Sequence, residues 1–229
     1  MTISINIPMS QYPKLLNGLQ TCSEPQRRAR LRNLARADLY FLLRYLLNRP
    51  DIEHPWLFER CREVQNQPDG YLDLWARGHY KSTFLTYGLT IQDILRTHGE
   101  DAEGKEVTIG LFSHTRPIAK AFLRQIKREF EQNAILRSIF SDVIWGNPQA
   151  EAPKWSEDDG IILKRKINPK EATIEAWGLV DSQPISKHFD ILVYDDVVTR
   201  DSVTTPDMIR KTTEALELSY ALGPTNGIA

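Results

Sequence analysis

Hydrophobic residues recur at three- and four-residue steps in several stretches of this chain, which is the spacing of one buried helix face. Sequence signals for the start or end of a helix lie at the borders of these stretches. Asn-Arg-Pro at residues 48–50 ends one stretch, and Thr-Pro-Asp at residues 205–207 begins another. The predicted helices cover residues 27–47, about 55–64, 84–95, 117–130 and 205–220.

Short runs of apolar and β-branched residues lie between these helices and predict β-strands. The predicted strands cover residues 71–76, 107–113, 161–166, 172–178 and 189–196, of which the last is the most apolar. Residues 145–160 are rich in Trp, Pro, Asn and acidic residues, which predicts an irregular segment over the surface. The alternation of strands and helices predicts an α/β fold with a mainly parallel sheet flanked by helices.

The composition limits the classes of protein to consider. The 229 residues are 41% apolar and 26% charged, which suits a substantial core and excludes a disordered chain. No run approaches the roughly 20 apolar residues of a membrane span, and the N-terminus lacks a signal-peptide pattern. The two cysteines, Cys22 and Cys61, have no zinc-ligand spacing. We therefore expect a protein of the reducing cytoplasm that is neither secreted nor membrane-spanning.

The net charge of -1 conceals an uneven distribution along the chain. Residues 1–50 carry a balance of +6, and residues 51–229 carry -7. Much of the excess lies in five arginines between residues 27 and 36, which either form a solvated helix face or bind phosphates or an acidic partner. We therefore divide the chain into an N-terminal basic helical segment, residues 1–50, and an α/β domain, residues 51–229.

The first candidate for chemistry is the loop between the predicted strand 71–76 and the helix after residue 83. A strand that runs into Gly-x-x-Lys-Ser and then a helix brings backbone N–H groups and a lysine to phosphates. Lys81 would reach the β- and γ-phosphates, and Ser82 would give one oxygen to Mg²⁺. The general pattern G-x-x-x-x-G-K-[ST] has glycines where this chain has Trp75 and Tyr80. The alternative is a capped turn with a surface lysine.

The second candidate is the pair of carboxylates that follows the apolar run in residues 189–194. Ligands of parallel sheets bind at the carboxyl ends of the strands, so Asp195 could hold Mg²⁺. Asp196, which we expect to project from the strand away from Asp195, could orient or deprotonate a water. The alternative is an Asp-Asp cap at a turn. A phosphate loop followed by an acidic strand, with another strand and helix between them, fits the additional-strand (ASCE) class of P-loop NTPases.

Together these motifs resemble those of the large terminase subunits of tailed bacteriophages, the motors that package DNA into procapsids. Residues 76–83, Ala-Arg-Gly-His-Tyr-Lys-Ser-Thr, resemble the deviant Walker A loop of that family, which carries an arginine and tolerates loss of the second glycine. The resemblance includes residues 113–116, 155–156, 173–178 and 188–198, and it covers the chain from about Trp56 to the C-terminus. It implies an ATPase that couples hydrolysis to translocation of double-stranded DNA.

The resemblance also implies roles for individual residues. The nucleotide phosphates would be bound by Arg77, Gly78, His79, Tyr80, Lys81, Ser82 and Thr83, and Mg²⁺ by Ser82 and Asp195. Catalysis would fall to the carboxylate of Asp196, with Lys81 and with Arg77 as the sensor of the γ-phosphate. The implied cofactors are ATP and Mg²⁺. The implied partners are double-stranded DNA, the portal protein, the small terminase subunit and further copies of this chain in a ring on the procapsid, in the cytoplasm of an infected bacterium.

The chain departs from the family pattern in three respects. Asp196 stands where the family usually has a glutamate, and Ser-Lys-His at residues 186–188 replaces a stretch that often contains Gly and Arg. The cation that a neighbouring subunit contributes is therefore left open by the sequence, and Lys187 is one candidate. The family's coupling strand and its nuclease domain would lie beyond Ala229, so we expect the chain to be a fragment.

Two other functions account for part of the pattern. The first is a nucleotide-responsive module that docks DNA or protein through its arginine-rich helix without efficient turnover. The second is a metal-dependent nuclease that uses Asp190, Asp195, Asp196 and Asp201, a hypothesis that gives Lys81 no role. ATP hydrolysis distinguishes the first of these from the motor.

Overall fold

The computed structural model describes residues 7–66, 72, 74–76, 78–102 and 104–224. Its α-helices are α1 (Tyr12–Gln20), α2 (Glu24–Ala37), α3 (Leu39–Phe41), α4 (Pro55–Gln65), α5 (Thr90–Thr97), α6 (Arg116–Gln132), α7 (Ala134–Ile139), α8 (Pro148–Glu151) and α9 (Pro206–Tyr220). Its strands are β1 (Ile109–Ser113), β2 (Trp155–Ser156), β3 (Gly160–Ile161), β4 (Ile174–Gly178) and β5 (Ile191–Tyr194). The segments Leu42–Leu46 and Thr83–Leu89 are π-helical, and 3₁₀ turns occupy Met9–Gln11, Pro50–Ile52 and Asp201–Val203.

The strands form one mixed sheet in the order β2-β3-β4-β1-β5. Strand β1 pairs in parallel with both β4 and β5, so that Ile109 lies opposite Ile174 on one side and Ile191 on the other. The hairpin of β2 and β3 extends the sheet beyond β4 through antiparallel pairing. The predicted α/β fold, with a mainly parallel sheet flanked by helices, is confirmed.

Helix α6 covers one face of the sheet because its sequence separates apolar from charged residues. Its buried stripe consists of Ala119, Leu123, Ile126 and Phe130 and packs across β1 and β4. The main hydrophobic core lies on this face and includes side chains from the N-terminal 50 residues, such as Phe41. The helices predicted at 55–64, 117–130 and 205–220 are confirmed as α4, α6 and α9.

The opposite face of the sheet carries a smaller core of Phe112, Leu179, Phe189 and Leu222. Helix α9 adds Ala215 and Leu216 to this core, and most of its other residues are exposed. Within the described part of the chain, none of the helices combines the length and hydrophobicity that crossing a membrane requires.

The prediction of one continuous helix over residues 27–47 is wrong. Helix α2 ends at Ala37, and Asp38 is extended, with φ of -139°. The Asp38 carboxylate accepts a hydrogen bond from the backbone N–H of Phe41 and another from the hydroxyl of Tyr12. Asp38 therefore caps a new helix, and its partner Tyr12 is too distant in the sequence for the hydrophobic repeat to indicate the break.

The predicted strand at residues 71–76 is not present in the described residues. Residues 72 and 74–76 form no strand, and the side chains of Leu72 and Leu74 are exposed. Tyr71 and Asp73 lie outside the described residues. A strand needs a hydrogen-bonded neighbour, and the described part of the sheet offers residues 72 and 74–76 none.

The other predicted strands are shorter than the sequence indicates. Paired residues are limited to Ile109–Ser113, Gly160–Ile161, Ile174–Gly178 and Ile191–Tyr194. Residues 145–160, predicted to be irregular, instead contain helix α8 and most of the β2–β3 hairpin. This hairpin is the antiparallel part of the sheet, which the simple alternation of strands and helices did not predict.

Three of the five arginines between residues 27 and 36 are directed into the protein. Arg32 is 6% exposed, and its Nη1 lies 2.6 Å from Oδ1 of Asp142. Asp101 pairs with both Arg32 and Arg36, and Arg28 donates to the carbonyl of Ile139. These contacts fasten α2 to the segments around Asp101 and Asp142, so this part of the cluster is not a solvated helix face.

Candidate functional site

The loop that precedes the π-helix contains two residues with a left-handed backbone. Gly78 has φ of 79°, and Tyr80 has φ of 64°. The left-handed conformation costs about 1–2 kcal/mol for a residue that has a side chain. Tyr80 stands where the general phosphate-loop pattern has its second glycine, the residue that adopts this conformation without strain. Tyr80 therefore has a glycine-like backbone at the position where the general pattern has its second glycine.

This loop leads directly into a helix that begins at Lys81. Left-handed residues in a turn allow successive backbone N–H groups to face one side, a geometry that suits an anion. The first turn of the helix, which includes Ser82 and Thr83, has further N–H groups without helical partners. Together with the helix dipole they make this end of the helix positive and favourable for an anion. Arg77, predicted to sense the γ-phosphate, lies outside the described residues.

The loop is open to solvent on one side and anchored on the other. Gly78 and His79 are exposed, and the His79 ring meets the Trp56 ring edge-on, with centroids 5.8 Å apart. Tyr80 is partly buried against the main core, and Ser82 and Thr83 are also partly buried. A ligand can therefore reach the backbone of the loop without moving the core.

The two aspartates of the predicted site follow β5 at its carboxyl end. The backbone N–H of Asp195 donates to the carbonyl of Phe112 (2.9 Å), and the carbonyl of Asp196 accepts from the N–H of His114 (3.2 Å). The end of β1 therefore fixes the backbone of both residues. The side chain of Asp195 is 2% exposed, and that of Asp196 is 64% exposed.

The expectation that Asp196 projects from the strand away from Asp195 is wrong. Strand β5 ends at Tyr194, and Asp196 has a left-handed φ of 50°, which aspartate tolerates better than most residues do. Because the chain turns here, both carboxylates approach the same ammonium group, that of Lys81.

Lys81 connects the loop to the acidic pair. Its Nζ lies 2.8 Å from Oδ1 of Asp195 and 3.8 Å from Oδ1 of Asp196. The shorter contact has the distance of an ion pair but not the alignment of a hydrogen bond. Burial disfavours the charged form of Lys81, but the two carboxylates outweigh burial and raise the pKa of Lys81 above its ordinary value. The two motifs thus meet at one edge of the sheet.

Thr86 is part of this site, and the sequence analysis did not identify it. Its Oγ1 donates a hydrogen bond of 2.7 Å to Oδ2 of Asp195, and both residues are buried. The sequence offers one signal, a hydroxyl residue shortly after Ser82 in a largely apolar helix. Such a signal is weak, because threonine occurs in many helices for other reasons.

Other predicted residues lie apart from the site. Asp190 precedes β5 and accepts from the backbone N–H of Thr108 (2.9 Å), so the length of β5 separates its backbone from that of Asp195 by about 16 Å. Among the described residues, no group of three or more His, Cys, Asp and Glu side chains could hold a metal ion. The aspartates of the nuclease hypothesis therefore do not form one cluster.

Lys187, the candidate for a cation that serves a neighbouring subunit, is engaged within its own chain. Its Nζ lies 2.8 Å from Oε1 of Glu175, a buried residue of β4. The indole N–H of Trp177 donates to the other carboxylate oxygen of Glu175. Lys187 therefore neutralises a buried charge in this structure.

Ser82 and Asp195 are the residues that could hold Mg²⁺. Proteins usually bind Mg²⁺ through one or two carboxylates together with substrate phosphates rather than through a cage of protein ligands. Oδ1 of Asp195 is buried and accepts no hydrogen bond, and Ser82 supplies a hydroxyl in the first helical turn. These residues fit a magnesium ion that arrives with a nucleotide.

The chain matches no protein-family model, and none of the curated proteins matches it. These comparisons therefore assign the chain to no family. The fold and the site define an α/β protein in which a strained loop carrying a lysine meets two aspartates at the carboxyl edge of parallel strands.

Proposed function

We propose that this chain is the ATPase domain of a viral DNA-packaging motor, a P-loop NTPase of the additional-strand class that couples Mg-ATP hydrolysis to translocation of double-stranded DNA into a procapsid. The observation that carries this proposal is the contact of Lys81 with both Asp195 and Asp196. A phosphate-binding lysine and two strand-end carboxylates flank the terminal phosphates of the nucleotide in such enzymes.

The strand order supports the additional-strand class. Strand β5, which leads to the acidic pair, lies beside β1, the first strand after the helix of the phosphate loop. The other edge of β5 has no strand partner in the described part of the chain, and all four of its residues are partly exposed. The proposed class has its additional strand on this edge, between the strand of the acidic pair and the phosphate loop.

In the proposed mechanism the loop holds the phosphates and Lys81 changes its partner. The backbone N–H groups from Gly78 to Thr83 would bind the phosphate oxygens, with Arg77 as the proposed contact of the γ-phosphate. Lys81 would exchange Asp195 for the β- and γ-phosphates, which leaves Oδ1 of Asp195 and the hydroxyl of Ser82 to hold Mg²⁺. A bound Mg²⁺ would supply positive charge that stabilises the transferred phosphoryl group.

Asp196 acts as the catalytic carboxylate. Its side chain is exposed, so it can take the proton of an attacking water while Asp195 stays buried and hydrogen-bonded. It is shorter than the glutamate of related motors by one methylene group. The left-handed backbone lets this carboxylate approach the Lys81 ammonium to 3.8 Å, and that contact supports the proposed role.

The motor function rests on the resemblance of residues 76–83 and 188–198 to terminase motifs. By this resemblance the substrate that the motor moves is double-stranded DNA, and the partners are the portal protein and the small terminase subunit. Several copies of this chain would assemble into a ring. An arginine contributed in trans changes turnover by about 10³–10⁵ in comparable enzymes. Lys187 has to leave Glu175 if it serves as this cation.

Phosphate release from Mg-ATP tests the proposal. We expect slow hydrolysis at low protein concentration and a steep rise with concentration or on addition of double-stranded DNA, because neighbouring subunits complete the site. The docking-module hypothesis instead predicts ATP binding without hydrolysis. Equal rates for wild type and Asp196→Asn would contradict the assignment of the catalytic carboxylate, and a rate that ignores concentration and DNA would contradict the shared site.

A further inference from the structure

Thr86 makes a buried hydrogen bond to the carboxylate that the proposed function assigns to the metal. Its Oγ1 lies 2.7 Å from Oδ2 of Asp195, and the two residues are 2% and 3% exposed. Hydrogen bonds to charged groups are stronger than those between neutral groups, and leaving a buried charge without its donor costs more than the bond itself contributes. This contact is therefore strong enough to determine how the Asp195 side chain is oriented.

The surrounding helix holds Thr86 in this direction. Residues Thr83–Leu89 form a π-helix, and the next residue, Tyr87, donates its hydroxyl to Glu129 of α6. At Gly88 a Cβ atom would lie only 2.7 Å from Cδ2 of Leu43, so the helix approaches its neighbour very closely. These two contacts fix the rotation of the helix, and the β-branched side chain of Thr86 has few rotamers of its own.

The two oxygens of Asp195 consequently have different surroundings. Oδ2 accepts the hydrogen bond from Thr86, whereas Oδ1 lies beside the Lys81 ammonium without hydrogen-bond alignment. Oδ1 is therefore the oxygen that becomes available when Lys81 moves to a phosphate. Without the Thr86 hydroxyl, either oxygen could turn toward Lys81 or away from it.

We propose that Thr86 is a positioning residue that turns Oδ1 of Asp195 toward the divalent cation bound with the nucleotide. The inference rests on the proposed function, because it presupposes that Asp195 serves the cation. Groups that orient a metal ligand typically change metal affinity by about 10- to 100-fold when they are removed. Thr86 therefore acts on the Mg²⁺ requirement of nucleotide binding, and its effect on metal-free binding is small.

The test is a titration of Mg²⁺ against binding of a fluorescent ATP analogue, with parallel binding in EDTA. Thr86→Val keeps the shape of the side chain and removes the hydroxyl, Thr86→Ala removes the hydroxyl without adding a methyl group beside the carboxylate, and Thr86→Ser keeps the hydroxyl. Thr90→Val is the matched control, because Thr90 is equally buried on the following helix and its hydroxyl has no partner. Thermal unfolding establishes which variants are folded.

We expect the folded hydroxyl-free variants to require about 10- to 100-fold more Mg²⁺, with unchanged binding in EDTA, and Thr86→Ser and Thr90→Val to behave as wild type. A wild-type Mg²⁺ requirement in either folded hydroxyl-free variant overturns the inference. So does a Thr86→Ser variant that is as impaired as Thr86→Val. If the wild-type protein binds no nucleotide with or without Mg²⁺, the proposed function itself fails, and that result is distinct from a failure at Thr86 alone.

Discussion

The Lys81 ammonium lies 2.8 Å from Oδ1 of the buried Asp195 carboxylate, so one contact joins the proposed phosphate loop to the acidic end of β5. In the free protein this pair stabilises two charges that the proposed mechanism later separates. Substitutions at Lys81 or Asp195 should therefore change the stability of the free protein as well as its function.

Lys81→Ala should destabilise the nucleotide-free protein by about 1–3 kcal/mol, because it leaves the Asp195 carboxylate buried without its cation. Urea unfolding of the two single variants and of the double variant Lys81→Ala/Asp195→Asn measures the coupling. We expect the double variant to lose less stability than the sum of the singles, by about 0.5–3 kcal/mol. Additive losses would show that the two side chains do not interact.

Asp195→Asn and Asp196→Asn should separate binding from turnover. Asp195→Asn should weaken the Mg²⁺ dependence of ATP binding, because a neutral amide is a poor ligand for Mg²⁺. Asp196→Asn should bind Mg-ATP normally and hydrolyse it about 10²–10⁴-fold more slowly, because the proton acceptor is lost. Asparagine tolerates the left-handed backbone at residue 196, so the turn should persist. Binding titrations and phosphate release on both variants check the assignment, which fails if their defects are interchanged.

Tyr80 offers a test of the loop itself. Tyr80→Gly should retain ATP binding, because glycine adopts the observed φ of 64° without strain and restores the residue of the general pattern. Tyr80→Val should weaken ATP binding, because a β-branched residue is especially unfavourable in the left-handed conformation. Binding of a fluorescent ATP analogue to the two variants is the measurement. Tighter binding by Tyr80→Val than by Tyr80→Gly would show that the left-handed backbone is unimportant.

Arg32→Met should destabilise the protein by about 2–4 kcal/mol, because it removes the partner of Asp142 and Asp101 from a buried position. Arg27→Met, on the same helix, should change stability by less than about 0.5 kcal/mol, because Arg27 is exposed and pairs with the exposed Glu24. Chemical unfolding compares the two variants. Equal losses of unfolding free energy in the two variants would show that the buried contacts of Arg32 add no more stability than the exposed pair of Arg27.

The sequence predicts the helices that are determined by residues within or next to the helix itself. Helix α9 has the capping threonine and the proline that the sequence shows, and the buried stripe of α6 follows helical periodicity. The meeting of Lys81 with the acidic pair agrees with the expectation that ligands bind at the carboxyl ends of parallel strands, although residues 72 and 74–76 form no strand before Lys81. These features depend on neighbouring residues or on a general property of sheets.

The features that the sequence does not predict depend on distant contacts. Asp38 interrupts a helical repeat because Tyr12 and the backbone of Phe41 bind its carboxylate. Thr86 joins the site only because the π-helix turns it toward Asp195. Periodicity reports which face of an element is apolar, and it carries no information about such partners.

Binding of labelled ATP to wild type and to Lys81→Ala, with and without Mg²⁺, tests the central claim most directly. We expect wild type to bind ATP and to bind it more tightly with Mg²⁺, because the cation lets Asp195 and Ser82 contribute. A folded Lys81→Ala protein should lose most of this affinity, because the lysine that meets the phosphates is gone. Unchanged ATP affinity in the folded variant, or no ATP binding by wild type under either condition, would contradict a phosphate loop at residues 77–83.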